Sequence, residues 1–106
     1  MWVNAMFALK GGARLNWANI TIPYAVLSGD SNALRLSCFR RDYVFDRSCI
    51  LSLSRFRGMF SIGLLIEHTV PTYPKFVVFW VSAWPWSRRF SVLKEELERH
   101  GYQVWS

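Results

Sequence analysis

In the middle of the chain short segments alternate apolar and polar residues with a period of two rather than 3.6, the signature of half-buried strands. Ile20 and Ile22 point to one face before Pro23 interrupts the ladder, so residues 24–28 continue at an edge or after a bend. Gly29, Asp30, Ser31 and Asn32 form a turn by composition. Residues 33–38 then place Leu34, Leu36 and Cys38 inward and Arg35 and Ser37 outward. Arg40, Arg41 and Asp42 predict a second turn before the short aromatic strand Tyr43, Val44, Phe45. Residues 50–56 repeat the alternation, and residues 63–68 supply the next strand. Residues 76–81 are apolar on both faces, so that strand needs cover on two sides.

After Pro85 the period changes. Phe90, Leu93 and Leu97 recur at i, i+3 and i+7, while Lys94, Glu95, Glu96, Glu98 and Arg99 fill the opposite side. Gly101 stands where a helix end calls for positive φ, and Tyr102 just beyond it can fold back on the last turn. The chain therefore reads as mainly β: six or seven antiparallel strands with one C-terminal amphipathic helix. At 106 residues and 52% hydrophobic content it has room for one core. Residues 1–12 read as an apolar leader or a short edge strand ending at Lys10, Gly11 and Gly12, with residues 13–106 as the single domain. No positive segment precedes the leader, which argues against a signal peptide. The charge-free stretches 15–29 and 76–87 are broken by Pro23 and Pro85 and fall short of the roughly 20 apolar residues that cross a bilayer.

The order of elements resembles the small bacterial pleckstrin-homology-like (PH-like) proteins. The resemblance rests on Asn32 to Leu36 leading into Phe39 to Phe45, then Ser48 to Ser54, Gly63 to His68, Phe76 to Trp80 and the terminal helix. It implies a PH-like roll and a non-catalytic binding module, acting through protein contacts or by peripheral attachment to an anionic membrane surface. The basic stretch that lipid-binding members use for inositol phosphates has no close match, since Lys10, Arg14 and Arg35 are scattered.

Catalytic sets are missing from the pattern. Glu67 and His68 are neighbours on a strand and point to opposite faces, and His68 shares its face with Leu64 and Ile66 as a structural histidine would. His100 sits where it favours the helix dipole. Cys38 and Cys49 lie in or beside apolar runs and read as free thiols of a reducing compartment; no metal site and no cofactor are expected. The sequence points to no enzyme, and to a cytoplasmic protein, free or at the inner face of the membrane.

Binding chemistry is concentrated in arginine, which supplies ten of the thirteen cations in a chain of net charge +6. Arg40, Arg41 and Arg47 bracket one strand, and Arg55 and Arg57 end the next, so a meander could gather them at one anion-binding rim. The competing reading leaves these arginines solvated and paired with Asp42 and Asp46. Trp84, Trp86, Arg88 and Arg89 form a second candidate, a surface for a protein partner or for self-association. Anionic lipid is the next partner class. Single-stranded nucleic acid is the alternative function, set behind these because cations and aromatics do not alternate along any one strand.

Overall fold

The computed structural model of the chain describes residues 7–16, 18–38, 41–57, 62–82 and 89–105. Among these residues one helix and eight strands, more than the six or seven antiparallel strands expected, follow in the order β1 (Phe7–Leu15), β2 (Ala18–Gly29), β3 (Ala33–Cys38), β4 (Arg41–Asp46), β5 (Ile50–Arg57), β6 (Ile62–His68), β7 (Val77–Ser82), α1 (Arg89–Arg99) and β8 (Val104–Trp105). One turn of 3-10 helix, Arg47–Cys49, joins β4 to β5. All strands lie in one sheet, ordered β4-β3-β2-β1-β7-β6-β5-β8. Every pairing is antiparallel except β5 with β8, which is parallel.

Two meanders, β1 to β4 and β5 to β7, are thus joined through β1 and β7. The alternation explains their registers. Leu34 and Leu36 face inward and pair Phe45 and Tyr43, while Leu27 stands opposite Leu36. The β2–β3 turn is closed by Asp30, whose carboxylate accepts the N–H groups of Asn32 and Ala33 at 2.8 and 3.2 Å.

β1 corrects the expected boundary at residue 13. Residues 7–12 belong to a strand in the interior of the sheet, paired along its length with β2 and over Gly12 to Leu15 with β7. A register shift between Gly11 and Ala13 lets it do both, since a bulge bends and twists the strand that carries it. The expected turn at residues 40–42 also differs. Arg41 and Asp42 already belong to β4, opposite Cys38 and Ser37, and Phe39 and Arg40 lie outside the described residues.

The sheet curls so that elements remote in strand order touch. The His68 ring at the end of β6 lies 4.8 Å from the Phe45 ring on β4. Tyr73, in the loop after β6, packs edge-on against Tyr43 and Phe45, and its hydroxyl accepts the Val44 N–H at 3.1 Å. That phenol satisfies a ladder donor on the edge strand, which a free edge would leave open for aggregation.

The inner face holds one core, in which Leu27, Leu34, Phe45, Leu64, Ile66 and Phe79 are fully buried. α1 supplies Phe90, Leu93 and Leu97 to it and packs against β7, β6 and β8. Each such side chain contributes about 1.5–3 kcal/mol by leaving water. The helix stops as its sequence predicts. Gly101 has φ +89°, its N–H donates to the Glu98 carbonyl at 3.0 Å, and the Tyr102 N–H donates to the Leu97 carbonyl at 3.0 Å. This pair of bonds is a Schellman motif, and Tyr102 folds back into the core. Among the described residues no helix is long and apolar enough to cross a membrane.

Candidate functional site

Of the arginines expected at one rim, Arg47 stands apart from Arg41. Arg41 and Arg47 flank β4 at opposite ends, and at about 3.3 Å per residue their backbones are roughly 20 Å apart. Arg55 and Arg57 are exposed near the end of β5. Arg40 lies outside the described residues.

Arg47 is engaged in holding the helix end. Its Nη1 donates to the carbonyls of Ser31 at 3.1 Å and His100 at 3.3 Å, and its Nη2 donates to the Gly101 carbonyl. The guanidinium carbon stands 4.9 Å from the centre of the Tyr102 ring. Carbonyls left over at a helix C-terminus carry partial negative charge, so a cation there is favourable. Tyr102 in turn donates its hydroxyl to the Asp30 carbonyl at 2.7 Å. Burial pushes its phenol up to about 12, opposed by Arg47 and assisted by Asp30. Arg35, which the sequence left as an outward strand residue, forms the ion pair with Asp42. The hydrogen bond from Arg35, then one from Ser37, holds the Asp42 carboxyl below its ordinary range.

Trp84, Trp86 and Arg88 lie outside the described residues, and Arg89 opens α1 with its side chain likewise outside them. Neighbouring Phe79 is in the core, and Trp80 is half-buried on the outer face.

The histidines have backbone partners. His68 Nδ1 accepts the Val70 N–H at 3.1 Å, which leaves Nε2 to donate to the Pro74 carbonyl at 2.7 Å. Glu67, on the opposite face, accepts the Ser52 hydroxyl at 3.0 Å. His100 Nδ1 meets the Glu96 carbonyl at 2.8 Å. Cys38 is buried, and desolvation with the nearby Asp42 charge raises its thiol to about 11. Among the described residues, no three His, Cys, Asp or Glu side chains gather where they could hold a metal ion.

A different surface emerges along β5. Ile50 pairs His68 and Ser52 pairs Glu67, so Leu51 is an extra residue in a bulge and is turned outward at 67% exposure. It separates two clefts. One, of about 390 Å³, is lined by Arg47, Leu51, Leu53, Tyr102 and Trp105. The other, of about 430 Å³, is lined by Leu51, Glu67, His68, Val70, Pro71 and Lys75. Trp105, 58% exposed, borders the first cleft from β8. β8 pairs only with Leu53 and Ser54, leaving β5 uncovered by it on both sides of that step. Sequence reasoning missed Leu51 because a bulge is a property of pairing; the only signal was the second of two adjacent apolar residues, Ile50 and Leu51.

No family model, curated protein or solved structure matches this chain.

Proposed function

We propose that this protein is a non-catalytic binding module built on a PH-like roll, and that it acts through contacts with a protein partner. Two antiparallel meanders joined through their outer strands and packed around one C-terminal helix support the PH-like reading. The observation that carries the partner reading is the β5 edge. Leu51 and Trp105 stand out of the surface beside two clefts, and large apolar side chains in such positions are the common anchors of protein interfaces. The partner is an extended segment. Main-chain pairing along uncovered β5 would give affinity, and an apolar side chain beside Leu51 would give register. Peripheral attachment to anionic lipid is less favoured, because Arg47 is engaged at the helix end and Arg41 stands about 20 Å from it.

The test is selection of a random peptide library on the folded protein, followed by affinity measurement with Leu51→Asp and Trp105→Ala. Peptides that enrich and weaken at least ten-fold against both variants support the reading. Absence of enrichment, or peptides indifferent to Leu51→Asp, refutes it. Salt-resistant sedimentation with anionic vesicles, lost in an Arg41→Ala/Arg55→Ala/Arg57→Ala variant, would assign the module to membranes instead.

A further inference from the structure

We propose that the outer face of the sheet binds single-stranded nucleic acid through a cluster of one guanidinium and three aromatic rings, Arg14, Phe76, Phe56 and Trp80, a site distinct from the surface around Leu51 and Trp105. The cluster crosses strands, which is why no single strand announces it. Arg14 comes from β1, Phe76 from the residue before β7, Phe56 from β5 and Trp80 from β7. The Arg14 guanidinium carbon lies 5.5 Å from the centre of the Phe76 ring, and the rings meet edge to face, Phe76 with Phe56 at 5.4 Å and 76° and Phe56 with Trp80 at 5.7 Å and 66°, so each turns a face in a different direction. Gly63 makes the last step possible. It faces Trp80 across the ladder, and a Cβ there would come within 2.8 Å of the indole.

The Arg14 end is built by the turn between β1 and β2. Asn16, at φ 58°, donates its N–H to the Phe76 carbonyl at 2.8 Å and accepts the Phe76 N–H on its side-chain oxygen at 3.1 Å. Its own carbonyl accepts Arg14 Nε at 3.0 Å. With Nε anchored and the guanidinium carbon over the ring, the two Nη groups remain available. Among the described residues they have no hydrogen-bond partner.

Charge selects the ligand. Arg14, Lys10 and Lys75 are exposed cations, and of the seven acidic residues only Glu67 shares the outer face of β5 to β7, where the Ser52 hydroxyl bonds it. Half-buried aromatic rings beside a fork of N–H donors suit a chain that alternates π faces with phosphates. A duplex hides its bases in the stack and would offer only phosphate, so the face should prefer single strands.

Fluorescence anisotropy of a labelled thymidine oligonucleotide of about 12 nucleotides tests this, beside the same sequence as a duplex, at about 50 and 200 mM salt. We expect the single strand to bind at least ten-fold more tightly than the duplex. Arg14→Ala, an exposed change, should weaken it about five- to ten-fold and flatten the log–log salt dependence by about 0.7. Phe76→Leu, which keeps apolar cover, should weaken binding similarly at an unchanged salt slope, with thermal unfolding confirming that both variants are folded. The proposal is overturned if no single-strand binding is seen up to about 100 μM protein, the weak end of non-specific affinity. It is overturned equally if the duplex binds as well, or if folded Arg14→Ala behaves as the parent. Binding of Arg14-dependent character to phosphatidylserine vesicles, without oligonucleotide binding, would assign the face to a membrane and also overturn it.

Discussion

Tyr102 and Asp30 are 72 positions apart, and the phenol of one donates to the backbone carbonyl of the other at 2.7 Å. The bond ties the end of α1 to the β2–β3 turn, and Arg47 bridges the same two segments through Ser31, His100 and Gly101. Tyr102→Phe keeps the buried ring and leaves one carbonyl unpaired. We expect a loss of about 1–2 kcal/mol in urea unfolding, with the far-ultraviolet spectrum unchanged.

Arg47 and Arg41 should separate cleanly by the kind of effect they have. Arg47→Ala removes the guanidinium from the helix end and should cost about 1–2 kcal/mol, and Arg47→Lys should not fully restore it because an ammonium cannot span the same carbonyls. Arg41→Ala, at an exposed strand end, should stay within about 0.5 kcal/mol. Equal losses from both would argue against the clamp.

Alkaline pH should loosen the fold in a defined window. The Cys38 thiol is raised from 9.0 to about 11 and the Tyr102 phenol from 10.0 to about 12. In each case the folded state holds its proton more tightly than the unfolded chain, so the contribution is complete below the unfolded value and disappears as pH climbs through the folded one. Stability should therefore fall between about pH 9 and 12. Tyr102→Phe should shed the upper part of that fall in a denaturation series.

Thiol accessibility follows the same burial. At pH 8 a disulfide reagent should label Cys49 in the native protein and leave Cys38 until denaturant is added. Immediate reaction of both would show that the inner face beside β4 is open.

Removing residues 1–12 should abolish folding. The cut takes Phe7 out of the core and removes the part of β1 that pairs Phe7 to Gly11 with β2. A variant lacking these residues should give the circular dichroism of an unordered chain; a cooperative unfolding transition would restore the boundary at residue 13.

The parts of this fold readable from sequence are those with one wet and one dry face. β3 shows its alternation in Leu34, Leu36 and Cys38, and α1 shows its stripe in Phe90, Leu93 and Leu97; both sets are buried. β1 was obscured because Lys10, Gly11 and Gly12 break the alternation at the point where the strand changes partners. Arg47 could not be distinguished from Arg41 in sequence, since its role depends on carbonyls from His100 and Gly101 that come near only in the folded chain. The cover for doubly apolar β7 was expected, but its source was not. Leu93 and Leu97 join Val77 and Phe79 in the inner core, while the Phe56, Phe76 and Trp80 rings gather on the outer face.

The seam between β1 and β7 joins residues 62 to 68 positions apart, whereas the β2–β3, β3–β4 and β5–β6 ladders bring together near neighbours in the chain. Loop closure over that span must precede any return from the contacts it makes, so hairpins form early and the seam late. Until it closes, β1 and β7 both present unpaired backbone, and β7 carries apolar side chains on two sides. The interval before closure is the time in which this chain is most exposed to sticking to another copy of itself.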